Sequence, residues 1–163
     1  TGRNASPVEH LSLAEVVADS LINLEVAIRE TEASVTVAEG LPSITGDHVE
    51  LVRLFQNLVG NAVKYRAPER KPVVEIGWRA EGREWLLWVR DNGIGMAPEN
   101  HDRAFQIFQR LVAREQYEGT GIGLAVCKKI VANHGGRIWI ESALGEGSCF
   151  YVAFPRSVKR SAQ

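Results

Sequence analysis

The stretch from Asp47 to Lys64 constrains the fold more than any other part of the chain. Asp47 with Glu50 three residues on is a capping-box start, and Val49, Val52, Leu54, Phe55, Leu58, Val59, Ala62 and Val63 recur at helical spacing. The pattern predicts a long helix buried along one side. Asn57, Asn61 and Lys64 stand four and then three residues apart, which places them on one stripe of that helix. Asparagine is a poor helix-interior residue unless its side chain has a partner. The stripe therefore reads either as a solvated polar face or as two carboxamides and an ammonium suited to a metal-bound phosphate chain.

A chain of 163 residues fits one domain that buries about 70% of its unfolded surface. With 19 Lys and Arg against 20 Asp and Glu, the formal net charge is −1, which argues against nucleic acid or an anionic membrane as a partner. Cys127 and Cys149 show no CxxC or His-rich spacing, so a reducing compartment fits better than a zinc site. No run reaches the ~18 apolar residues of a membrane span. A soluble cytoplasmic module without membrane insertion is the expectation. Residues 1–7, with no initiating Met, read as a linker or expression remnant, residues 8–156 as the domain and 157–163 as a frayed tail.

In chain order, Val8 to Leu11 reads as a short strand. Ser12 with Glu15 then caps a helix continuing to about Glu32 on Leu13, Val16, Val17, Leu21, Leu24 and Ile28. Val35 to Glu39 is a strand, and Ile44 to Gly46 an extended lead into the central helix. Val73 to Trp78 and Glu84 to Asp91 form a hairpin across the turn Glu81-Gly82-Arg83. Residues 92–121 are a long connection with one helix around Arg103 to Leu111, and connections of this length are commonly functional lids or disordered segments. A helix over Gly121 to His134 ends at Gly135-Gly136, and strands Arg137 to Ser142 and Ser148 to Phe154 close the domain. This order predicts an α/β, two-layer sandwich with helices on one face of a mixed, mostly antiparallel sheet.

Asp91-Asn92-Gly93-Ile94-Gly95-Met96 follows a strand directly, so Gly93 and Gly95 allow backbone to approach a ligand while Asp91 accepts a hydrogen bond from an amino group. A plain turn explains the same glycines. Gly119-Thr120-Gly121-Ile122-Gly123-Leu124 opens a helix whose N–H groups favour an anion, or it is a hinge. Neither run is a dinucleotide fingerprint or a GxxxxGK[ST] loop.

Taken together, these pieces resemble the ATP-binding catalytic domain of sensor histidine kinases, in the superfamily that includes type II topoisomerase, mismatch-repair and heat-shock chaperone ATPases. Asn57 to Tyr65 resembles the asparagine box, Asp91 to Met96 the first glycine box, Phe105 to Leu111 the phenylalanine box, and Gly119 to Leu124 the second glycine box. The stretch from Phe105 to Glu141 looks especially like kinases attached to phytochrome-type sensors. The resemblance implies a Bergerat-type fold with ATP and Mg²⁺ as cofactors. It implies that Asn61, helped by Asn57, binds Mg²⁺ and that Asp91 takes the adenine amino group, with Tyr65 beside the base. Lys64 and Arg110 would meet phosphates, Arg110 reaching the transferred group, under a glycine-rich lid.

The γ-phosphate would pass to a histidine on a separate dimerisation domain of the same protein, and from there to a response regulator. Cys149 falls where the family usually has a threonine near adenine, implying a weaker contact, although a small buried core residue explains it equally well. His10, His48, His101 and His134 lack the phosphoacceptor pattern and read as surface or capping residues. Trp85 and Trp88 face opposite sides of their strand. Asn57 stands where ATPases of the superfamily carry a water-activating glutamate, which disfavours fast hydrolysis. A non-catalytic nucleotide-binding scaffold, a related ATPase and a serine kinase are the rival readings.

Overall fold

The computed structural model describes residues 8–97 and 121–156, with the side chains of 121–123 excepted. The expected helix around Arg103 to Leu111, the lid, Arg110, Gly119, Thr120, the opening segment and the tail all lie outside the described residues.

The central helix forms as its sequence requires. Strand β3 (Ser43–Asp47) delivers Asp47 in extended geometry, its carboxylate accepts from the Glu50 N–H at 3.1 Å, and α3 (His48–Lys64) follows. Leu51, Leu54, Phe55, Leu58, Val59, Ala62 and Val63 are buried, and Phe55 and Leu54 are completely so. Burying each such side chain contributes about 1.5–3 kcal/mol. Val49, expected on this face, is exposed, and Leu51 takes its place. Two positions, about 200° of helical rotation, separate the two, so Leu51 and not Val49 continues the face of Leu54, Phe55 and Leu58.

Before it, β1 (Val8–Ser12) pairs antiparallel with β3 in a two-stranded sheet, Leu11 opposite Ile44. The Ser12 hydroxyl accepts from the Glu15 N–H to start α1 (Leu13–Asn23). The sequence predicts one helix to about Glu32; the structure breaks it at Leu24, whose N–H turns back to Leu21 and Ile22, and resumes as α2 (Glu25–Thr31). Asn23, just before the break, donates to Gln56 of α3 at 3.0 Å, and Leu24 packs on the core. A periodic pattern runs through such a break unchanged.

The main sheet has the order β2-β4-β5-β7-β6. Here β2 is Ser34–Val37, β4 Val73–Glu81, β5 Glu84–Asp91, β6 Arg137–Ala143 and β7 Gly147–Pro155. Only the β2–β4 pairing is parallel, so the sheet is mixed, mostly antiparallel and open. Helix α4 (Gly121–Asn133) ends at Gly135, with φ of +72°, and the Gly136 N–H returns to the Val131 carbonyl. One core joins α1, α3 and α4 to the inner face of the sheet through Val74, Ile76, Leu87, Val89, Ile140, Phe150, Val152 and Phe154. Trp85 packs on this core, whereas Trp88 lies in an outer row with Tyr151 and Trp139, the last two stacked at 5.4 Å. The opposite facing expected for the two tryptophans is what the strand adopts.

His134 is not a surface residue. Its side chain is 6% exposed; Nε2 accepts from the Asp47 N–H at 3.1 Å, and Nδ1 lies 2.8 Å from the Ile130 carbonyl, which requires the proton there. The ring thus caps the end of α4 and pins it to the start of α3. His134→Phe keeps the ring but orphans a buried N–H, so it should cost about 1–3 kcal/mol in a denaturant melt. A loss below 0.5 kcal/mol, an estimate set by the ordinary scatter of surface substitutions at about ±0.5 kcal/mol, would show that the pin carries nothing.

Candidate functional site

Two groups of residues meet at the C-terminal end of α3. The first is the polar stripe. Asn57, Asn61 and Lys64 line a cleft of about 360 Å³ whose other wall includes Leu24 at the helix break and Ala27, Glu30 and Thr31 of α2. Asn61 is 5% exposed, and its Nδ2 is buried with no hydrogen-bond partner among the described residues. A buried carboxamide left uncommitted costs free energy, so its presence points to a ligand rather than to packing. Asn57 stands beside the thiol of Cys127 on α4, which burial pushes up to about 12 and which donates to the Leu54 carbonyl of α3 at 3.8 Å. That bond ties the two helices next to Asn57.

The second group surrounds Asp91 at the end of β5. Its Oδ1 accepts from the Gly93 N–H at 2.8 Å and from the Ser148 N–H at 3.2 Å. Burial raises its pKa from 3.8 to about 6, and the two backbone bonds only partly oppose that rise. With Oδ1 committed to the main chain, the second carboxylate oxygen keeps its acceptor capacity among the described residues. The loop after Asp91 is close-packed by necessity. A Cβ on Gly93 would lie 2.4 Å from the Tyr65 carbonyl, and Gly95, at φ of +69°, would meet the Ala143 carbonyl at 2.0 Å.

Tyr65 joins the two groups. It caps α3, packs against the core, and its carbonyl accepts the Ile94 N–H at 3.0 Å, so the stripe and the Asp91 loop are held together by main-chain contacts. Ile94 is 41% exposed, whereas Met96 is buried in the core. Leu124 is also a fully buried core residue, so its side chain serves packing. Gly121, Ile122 and Gly123 form the first residues of α4.

Cys149 is not beside the Asp91 carboxylate. It pairs with Arg90 on β5 and Glu141 on β6, and its thiol hydrogen-bonds Tyr151, placing it on the outer face with Arg90. Burial raises its pKa. Side chains alternate along a strand, so a displacement of one residue moves a group to the other face. The residue on the Asp91 side is Ser148, 8% exposed, whose N–H bonds the carboxylate and whose hydroxyl lies 2.7 Å from that of Ser142. Sequence reasoning missed Ser148, although Gly147 at φ of +100° immediately before it carried the signal. A Cβ there would strike the Asp91 carbonyl at 2.1 Å, which fixes the neighbour of Asp91 as the residue that follows this glycine.

Residues 46–158 match the family model for histidine kinase-, DNA gyrase B-, and HSP90-like ATPases. The chain is 51% identical over 136 residues, 83% of its length, to cyanobacterial phytochrome A of Nostoc sp. (strain PCC 7120 / SAG 25.82 / UTEX 2576), covering 18% of that protein. It is 44% identical over 141 residues, 86% of its length, to the phytochrome-like protein Cph1 of Synechocystis sp. (strain ATCC 27184 / PCC 6803 / Kazusa), covering 19% of it. It thus spans about a fifth of the length of these relatives. Among solved structures, the mycobacterial sensor histidine kinase MprB superposes with a TM-score of 0.75 at 25% identity, over 93% of this chain and 100% of that one. The catalytic domain of histidine kinase ThkA shares the fold with a TM-score of 0.73 at 22% identity, over 93% and 99%. The chain belongs to the histidine kinase-, DNA gyrase B-, and HSP90-like ATPase family.

Proposed function

We propose that this domain, residues 8–156, binds ATP with Mg²⁺ and donates the γ-phosphate to a histidine on a separate helical domain of its parent protein, which then serves a response regulator. The observation that carries the reading is Asp91, a part-buried carboxylate with one oxygen held by two main-chain N–H groups and the other left to accept from an adenine amino group. The 6-amino group donates and cannot accept, so an ionised carboxylate selects adenine over a base with a carbonyl there.

The donor set of the stripe fits magnesium, a hard ion bound through few protein oxygens. Asn61 would bind the ion through its Oδ1, while its buried Nδ2, which has no partner among the described residues, would be left to donate to a phosphate or water oxygen, and Asn57 would support it. When bound, the ion neutralises phosphate charge and orients the γ-phosphoryl group for in-line transfer. Lys64 follows Asn61 on the same stripe and supplies a cation for the phosphates. Arg110 is given the transferred group, and Gly119 to Gly123 the triphosphate, on the strength of their motifs. None of these residues is a strong base toward water, in keeping with transfer to a protein side chain rather than hydrolysis.

Asp91 also sets a stability cost. A carboxyl whose folded pKa lies above its unfolded value stabilises the fold only at low pH, and that contribution is lost as pH rises through about 6. Ionising it at pH 7.5 costs roughly 3 kcal/mol. Asp91→Asn should therefore melt higher than the wild type at pH 7.5, with the advantage narrowing as pH falls from 6 toward 4, and should bind ATP at least about tenfold more weakly, the loss of one charged hydrogen bond. A lower melting temperature at pH 7.5 would contradict the burial of a charged Asp91.

For the reaction, the domain mixed with radiolabelled ATP should remain unlabelled alone and should label a histidine-bearing dimerisation domain supplied in trans. The phosphate should be acid-labile and alkali-stable, and Asn61→Asp should alter its Mg²⁺ dependence. Acid-stable, alkali-labile label would indicate a serine kinase instead.

A further inference from the structure

Arg70 lies in the connection between α3 and β4, outside every motif singled out in the sequence. Its guanidinium is nonetheless bonded on all sides. Nε donates to the Asn92 carbonyl at 2.7 Å, and Nη2 donates to the Gly93 carbonyl at 3.0 Å and the Gly145 carbonyl at 2.9 Å. Nη1 pairs with Glu69 at 3.0 Å. The side chain is one-third exposed. Three main-chain carbonyls on one guanidinium is an unusual commitment for a loop arginine, because side chains of this length lose about 2 kcal/mol of rotamer entropy when fixed.

The carbonyls it collects come from the two loops that frame Asp91. Asn92 and Gly93 begin the glycine loop whose N–H holds Asp91 Oδ1, and Gly145 sits in the β6–β7 turn just before Ser148, the other donor to that oxygen. The Gly145 N–H donates back to the Ile94 carbonyl at 2.7 Å, closing the two loops on each other. Asn92 completes the clasp from the other side: its Oδ1 accepts the Val73 N–H at 2.8 Å and its Nδ2 donates to the Lys71 carbonyl at 3.1 Å. Both loops carry positive-φ glycines, Gly95, Gly145 and Gly147, which by themselves allow many conformations. Something outside the loops must choose one.

We propose that Arg70 is a positioning residue for the base end of the nucleotide site: by gripping Asn92, Gly93 and Gly145 it fixes the two N–H donors that aim the Asp91 carboxylate at the purine 6-position. This rests on the nucleotide reading above. Arginine is required because one ammonium has no planar fork to span three carbonyls. The assignment separates from a merely structural role, since a structural clasp lowers stability without changing which atom of the base is read.

The test is a ratio of affinities measured by titration calorimetry with Mg²⁺, using ATP and purine riboside triphosphate, which lacks the 6-amino group. The wild type should prefer ATP by about 10-fold or more, the value of a hydrogen bond to a charged group. Arg70→Met, which keeps an unbranched apolar stem, should reduce the preference to below threefold, whereas its affinity for the analogue stays near the wild-type value. Arg70→Lys, which keeps charge and stem, should fall on the same side and serves if the Met variant does not fold. A preference unchanged in either folded variant overturns the assignment while leaving the nucleotide reading intact. Failure of the wild type to bind ATP at all overturns both.

Discussion

Asp91 is a carboxylate kept mostly out of water by the end of a sheet, and the geometry around it follows from the need to hold that charge. Its Oδ1 is satisfied only because two loops bring backbone N–H groups to it, from Gly93 on one side and Ser148 on the other. Those loops approach so closely that side chains at Gly93, Gly95 and Gly147 would collide with backbone carbonyls. They stay together through the Tyr65 carbonyl, the Gly145 N–H and the Arg70 guanidinium. A carboxyl whose pKa is raised by desolvation is unfavourable in its charged form, and such groups concentrate at functional sites.

The same economy governs the opposite end of the site. Asn61 sits inside a helix that needs nothing polar there, and its buried Nδ2 has no partner among the described residues. One turn earlier, beside Asn57, the Cys127 thiol donates to the Leu54 carbonyl and so couples α3 to α4. His134 ties the far end of α4 to the start of α3. Two polar links, one at the middle of α4 and one just past its C-terminal end, hold it against the central helix.

Much of this was legible in the sequence where a signal was local. The capping pairs Ser12/Glu15 and Asp47/Glu50, the hairpin turn at Gly82 and the helix stop at Gly135 each specify geometry within a few residues, and each is present. What was not legible depended on distant parts of the chain. The pairing of β1 with β3 is a contact across some thirty residues with no mark in either strand. The break at Leu24 keeps helical spacing on both sides. The misplacement of Cys149 was an error of one residue, which in a strand is an error of one face. Arg70 and Ser148 were passed over because their importance lies in backbone partners that come from elsewhere in the fold. Arg110, Gly119 and Thr120 lie outside the described residues, and their roles rest on motif alone.

The central claim is that Asp91 is a part-buried carboxylate, reluctant to ionise in the free domain and ionised when it reads a base. Carbon-13 NMR of the Asp91 carboxyl, titrated against pH with and without Mg-ADP, tests it most directly. The account predicts a midpoint near 6 in the free domain and a clear downward displacement with nucleotide, because a ligand that binds the charged form must favour it. A midpoint near 3.8 in the free domain, or one that nucleotide leaves unmoved or raises, would contradict it.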